Sequence, residues 1–205
     1  MMKRIESFIC HIAVFVLAGF CNDTFGRVFE TEHFSAWVPD SWRAFEGNDF
    51  SSFDKLPTQC KYFKNPKNKY QSIAISLCVV NMNPAEILHR IGFRRINDDI
   101  VRVGSMDSQV ARIEYRSNYL MISAAASCGI TDNAGFHAAK GNCYSAAIFG
   151  RDYDVAVETD GTEPLAVVRR VTNSMTLHTP AGNKMSRKEL ETVNLDETNN
   201  ELPHR

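Results

Sequence analysis

The chain has 205 residues, is 44% hydrophobic and carries a formal net charge of −1. That length supplies one domain with its own core and falls short of two. The near balance of charge excludes recognition through a broad basic field, so no nucleic-acid partner is expected.

At the amino terminus Lys3 and Arg4 precede an apolar run from Phe8 to Gly19, followed by small and polar residues. A run of about a dozen residues is too short for a permanent span, which takes roughly twenty, and reads as a cleavable signal peptide. Thr24 and Gly26 place small side chains before the bond to Arg27, so cleavage is expected after Gly26, with a start at Asn22 as the alternative. Phe20 is too bulky in front of Cys21 for lipoprotein processing. Residues 1–26 are read as the signal peptide, 27–178 as a single α+β domain and 179–205 as a disordered tail. Removing Lys3, Arg4, Glu6 and Asp23 leaves the net charge at −1. The destination is periplasmic or extracellular, without stable membrane insertion after processing.

In the mature chain VFETE and FSAWVP read as strands, the second alternating Phe34, Ala36 and Val38 against Ser35 and Trp37 and ending at Pro39 and Asp40. A turn-rich loop with Phe45, Phe50 and Phe53 follows. TQCKYF and QSIAISLCVVN flank the turn KNPKNK as a hairpin, whose basic residues read as a solvated turn. Apolar residues occupy both alternating sets of the second strand, which marks it as central. Asn83, Pro84 and Glu86 are an N-cap, a first-turn proline and a capping-box acid, so a helix starts there with Ile87, Leu88 and Ile91 as its apolar stripe. Past a polar connection at Asn97, Asp98 and Asp99, the segments SQVARIEYRS, YLMISAAAS, CYSAAIFG and YDVAVET form an antiparallel meander. A last helix begins near Thr162, with Pro164 in its first turn and Leu165, Val168, Val171, Thr172 and Met175 at helical spacing, and lies across the sheet. Beyond Leu177 the chain is polar and charged and lacks the apolar surface to offset its ordering entropy.

Cleavage after Gly26 leaves Cys60, Cys78, Cys128 and Cys143, an even number in an oxidising compartment, so disulfides are expected. Four cysteines permit three pairings. Cys128 and Cys143 flank the Gly- and Asn-rich segment GITDNAGFHAAKGN and are the preferred pair, which leaves Cys60 and Cys78 as a second bridge or as buried thiols. Without a C-x-x-C or histidines at ligand spacing, no metal is expected.

The phrase Phe34 to Trp42 (FSAWVPDSW), the hairpin, the helix opened by Asn83 and Pro84, and the closing helix ending in VTNSMTL together resemble the PsbP/Mog1-like family across Val28 to Leu177. The four cysteines and the Ala-rich stretch after Met121 depart from that pattern. The resemblance implies an antiparallel sheet flanked by helices, an α/β/α sandwich, serving as a scaffold for protein binding or assembly, usually without catalysis.

Residue by residue, chemistry is sparse. A thiol enzyme would use Cys128 or Cys143 with His137 between them, but cysteines bracketing a turn in an oxidising compartment read as a disulfide, with His137 exposed in the loop. Gly104 and Ser105 lack the surrounding G-x-S-x-G, Asp98, Asp99 and Asp107 match no calcium loop, and the scattered glycines make no phosphate cradle, so no cofactor is expected. Trp37, out of phase with its apolar neighbours, is the candidate binding residue, with Trp42, Phe45 and Phe50 nearby. The reading is an exported, non-enzymatic binding or assembly protein whose partner is another protein. The alternatives are the thiol enzyme and an immunity-type inhibitor of an envelope-acting toxin.

Overall fold

The computed structural model describes residues 25–45, 51–53, 59–67, 73–132, 135–180 and 185–195, with the side chains of 130–141 left aside. The signal-peptide reading therefore lies, up to residue 24, outside the described residues, as does Phe50.

Strand β1 (Gly26–Glu30) pairs with β2 (Phe34–Pro39), and β13 (Thr176–Leu177) pairs with the other edge of β2, making a three-stranded sheet. A seven-stranded sheet runs in the order β3 (Arg43–Phe45), β4 (Gln59–Lys64), β5 (Ile73–Val80), β12 (Asp154–Glu158), β11 (Gly135–Phe149), β10 (Leu120–Asp132) and β9 (Arg112–Tyr115). A second three-stranded sheet joins β6 (Phe93–Ile96), β7 (Asp99–Val103) and β8 (Ser108–Val110). Every pairing in these sheets is antiparallel. Strand β5 lies inside the large sheet and all but one of its residues are buried, as apolar residues on both alternating sets require.

Because side chains alternate across a strand, the large sheet carries two cores. On one face Leu77, Val155, Val157 and Ile148 pack against Phe34, Ala36 and Val38 of β2, Trp42, and Val168 and Val171 of helix α2 (Leu165–Asn173). On the other, Cys78, Ala156, Ala147 and Ile122 meet Ile87 and Leu88 of helix α1 (Pro84–Arg90), together with Phe93 and Ile100 of the β6–β7 hairpin. Each face is thus covered by a small sheet and a short helix, which replaces the helix-flanked α/β/α sandwich that the PsbP/Mog1 resemblance implied. The reason lies in helix length: stretches of seven and nine residues cannot cover a seven-stranded sheet, and amphipathic hairpins complete the layers.

Helix α1 starts at the expected cap, with the Asn83 side chain accepting from the Ala85 amide at 2.9 Å and Pro84 in its first turn. The capping box expected of Glu86 is not formed: its carboxylate accepts from Arg90 one turn on, at 3.0 and 3.2 Å. It ends at Gly92, whose φ of 83° suits a residue without a side chain. Asn97 and Asp98, expected in a mere connection, form the turn of the β6–β7 hairpin, and Asn97 takes the left-handed φ of 55° that asparagine tolerates.

The tail reading is corrected over 185–195. Helix α3 (Arg187–Thr192) is closed by a capping box between Ser186 and Glu189, and Met185, Leu190 and Leu195 are buried in the second core. Arg95 donates to the carbonyls of Leu190 and Val193 at 3.0 and 3.2 Å, satisfying groups at the helix end. Three apolar residues spaced five apart suffice because the second core supplies the rest of the packing. Residues 196–205 lie outside the described ones.

Candidate functional site

Both cysteine pairs are closed as disulfides, Cys60–Cys78 and Cys128–Cys143. Cys60 and Cys78 stand directly opposite in the β4–β5 register, so the pairing of the strands brings the sulfurs together. Cys128 sits at the irregularity between Ser127 and Gly129, where its strand shifts register against β11. The expected loop between Cys128 and Cys143 is instead paired strand: β10 and β11 continue past the bridge, with Ile130 opposite His137 and Asp132 opposite Gly135. The bridge therefore lies at the root of a projecting hairpin rather than around a loop, and His137 belongs to a strand. In this oxidised state neither Cys128 nor Cys143 offers a thiolate to a catalytic mechanism.

The root of that hairpin is pinned twice more. The Asp107 carboxylate accepts from the Ser127 amide and hydroxyl, both at 2.7 Å, and from Gln109 Nε2 at 3.2 Å. Those bonds, the Ser127 hydroxyl first, hold its pKa below the ordinary carboxylate value. On the opposite side Gly161, at φ 79°, lies so close that a β-carbon there would stand 2.8 Å from Cys128 Sγ.

A polar row crosses the second-core face of the large sheet, where Ser76, Glu158 and Ser145 are in register on β5, β12 and β11. Glu158 accepts from the hydroxyls of Ser51 and Ser52, each at 2.7 Å, and from the Ser52 amide at 2.9 Å. Arg102 of β7 reaches the row through Nε, 3.1 Å from Ser145 Oγ, and burial lowers its pKa, with Glu158 opposing. Both carboxylate oxygens are taken by the loop at 51–53, so this row fastens a loop over the sheet. Among the described residues no group of three or more His, Cys, Asp or Glu is placed to hold a metal ion.

Of the binding residues expected from sequence, the three that are described, Trp37, Trp42 and Phe45, do not form one surface. Trp42 is 2% exposed and belongs to the first core. Trp37 does turn to the outer side of β2, where the Arg170 guanidinium covers its ring at 3.8 Å. Phe45 stands on β3 at the far edge of the large sheet, 5.5 Å from the Tyr62 ring and beneath Lys64.

The exposed apolar face lies elsewhere. In the β6–β7–β8 sheet Phe93 and Ile100 point into the second core, so Ile96, Val103 and Val110, of opposite parity, point out. Ile96 is 46%, Val103 38% and Val110 64% exposed, and Met106 in the β7–β8 turn is 72% exposed. These are four of the eight large apolar side chains that stand exposed among the described residues, gathered on one small sheet. Little in the sequence marked this face: DIVRV and SQV do not alternate apolar with polar residues, and Val101, of the same parity as Val103, is buried.

No family model matches the chain, and no curated protein matches it. A solved structure from Bacteroides thetaiotaomicron is similar at 13% identity with a TM-score of 0.37. The match covers 76% of this chain, which spans about half, 49%, of that one. A likeness of that size carries no argument about fold or function.

Proposed function

We propose that the chain is an exported, non-enzymatic binding protein acting through protein–protein contacts, and that its partner docks on the outer face of β6–β7–β8. The observation that carries this is that Ile96, Val103, Met106 and Val110 stand exposed around the buried Val101 on one small sheet whose other side is already anchored in the core. Apolar side chains in that number on one small face are what a docking surface provides. The two disulfides and the signal-peptide pattern support an exported, oxidising location. The Glu158 row and the closed cysteine pairs support binding over catalysis, since their polar groups are committed to holding the fold.

Affinity capture from the protein's own envelope tests this with two variants. Val110→Asp should lose the captured partner and keep its melting temperature, because Val110 faces solvent, whereas Trp37→Ala should retain the partner. Retention by Val110→Asp together with loss in Trp37→Ala would move the interface back to β2.

A further inference from the structure

We propose that the domain pairs with a second copy of itself through the open edge of β9, about a two-fold axis at Tyr115. This goes beyond the docking face on β6–β7–β8 and does not rest on it, because β9 is the last strand of the large sheet.

Among the described residues β9 pairs with β10 alone. The phase of its backbone follows from the turn that joins the two strands. The Arg116 amide donates to the Tyr119 carbonyl at 2.9 Å, so that pair is hydrogen-bonded. By the alternation of an antiparallel ladder, so are Glu114 with Met121 and Arg112 with Ser123. Ile113 and Tyr115 therefore turn their amides and carbonyls away from β10, toward the open edge. Their side chains are 41% and 44% exposed. An edge that offers unpaired backbone groups beside apolar side chains is a template for another strand.

The charges on the opposite face of β9 select that strand, since Arg112, Glu114 and Arg116 alternate in sign. A second β9 running antiparallel must set outward-turned residues opposite one another, which allows an axis at Ile113, Glu114 or Tyr115. An axis at Glu114 opposes Glu114 to its own copy and Arg112 to Arg116, like charges throughout. An axis at Ile113 sets Tyr115 opposite Ala111, whose amide is already given to the Ile100 carbonyl of β7 at 2.8 Å. The axis at Tyr115 meets neither obstacle. There the two Tyr115 residues exchange both backbone bonds, and each Glu114 faces the other copy's Arg116 at the closer spacing of about 4.5 Å between α-carbons. Glu114 and Arg116 already form an ion pair on this face at 3.0 Å, so the dimer extends a ladder of alternating charge across the axis. Each contact occurs twice, as a closed two-fold interface requires.

Sedimentation of the full chain over a concentration series should show a monomer–dimer equilibrium. Amide exchange followed residue by residue should slow at Ile113 and Tyr115 as concentration rises, more than at Glu114, whose amide is already bonded to β10. Under mild oxidation Tyr115→Cys should cross-link two copies above the background of the parent chain, because opposed α-carbons about 5.5 Å apart suit a disulfide. Ile113→Cys should not, since this axis holds the two copies of Ile113 about 14 Å apart. Tyr115→Pro removes the outward amide and leaves the ladder to β10, and should weaken the dimer at least about tenfold. Val110→Asp should dimerise like the parent, which separates this pairing from docking on β6–β7–β8. A parent chain that stays monomeric throughout the series, cross-linking of Ile113→Cys as strong as that of Tyr115→Cys, or loss of the dimer in Val110→Asp would each overturn the proposal.

Discussion

Asp107 shows how one exposed side chain can set the shape of a larger element. Its carboxylate gathers the amide and hydroxyl of Ser127 just where β10 shifts register, and so fixes the point from which the hairpin projects. The depressed folded-state pKa makes this a pH-dependent contribution. It is complete above the unfolded carboxylate's pKa of about 4 and is lost as pH falls through the lower folded value. Denaturant titrations of the parent and Asp107→Asn should therefore differ most near neutrality and converge in strong acid. Parallel curves at every pH would show that the hydrogen bonds contribute nothing specific to the charged form. Gly161 acts at the same place by absence, since both its φ of 79° and its contact with Cys128 exclude a side chain.

At the scale of elements, the Cys128–Cys143 bridge and helix α3 invite opposite expectations from sequence and meet the same physics. The bridge closes a separation of 15 residues, for which the chain-entropy model gives about 3 kcal/mol. Replacing both cysteines by serine should lower stability by about 2–4 kcal/mol and leave partner capture through β6–β7–β8 intact. Loss of capture at unchanged stability would instead point to chemistry at the sulfurs. Helix α3 is six residues long and would not persist alone in water, so its order comes from docking. Leu190→Ala should cost about 2 kcal/mol, the low end for a buried leucine because the strap can detach, and lower the melting temperature by roughly 4–8 °C. A change below 1 °C would mean that the strap contributes no packing. Deleting everything after Thr179 should lower it at least as much.

For the whole molecule the decisive feature is that two cores share one sheet. Alternate residues of β5 and β12 serve opposite faces, with Leu77 and Val157 on one and Cys78 and Ala156 on the other. Neither core can come apart without freeing the strands that hold the other. Unfolding followed by the fluorescence of Trp37 and Trp42 on the first face should thus coincide with unfolding followed by exchange of the β6–β7 amides on the second. Separate midpoints would show that the small sheet opens by itself.

Strand periodicity, the Asn83 cap of α1 and the parity of Trp37 were all legible in the sequence, because each depends on neighbours within a few residues, whereas Glu86, expected to close a capping box, pairs with Arg90 instead. Burial of both sets in QSIAISLCVVN marked a central strand for the same reason. The signals for α3 were also present: Ser186 and Glu189 stand in capping-box spacing, with Met185, Leu190 and Leu195 around them. Composition outweighed them, since a groove that rewards three apolar residues does not appear in the segment itself. Asn97 and Asp98 likewise carried a hairpin turn that their polarity disguised as a connection.

What the sequence determined by itself was therefore local: which segments are strands, where the first helix begins, and which face of each strand is apolar. The preferred Cys128–Cys143 pairing also followed from chain spacing, although the strand pairing between those residues did not. Only the tertiary structure decided which apolar faces meet. It sent Trp42 into the core and left Val103 and Val110 in the open, although all three lie in apolar patterns. The physical reason is that burial belongs to a pair of surfaces, and one strand's sequence specifies only half of that pair.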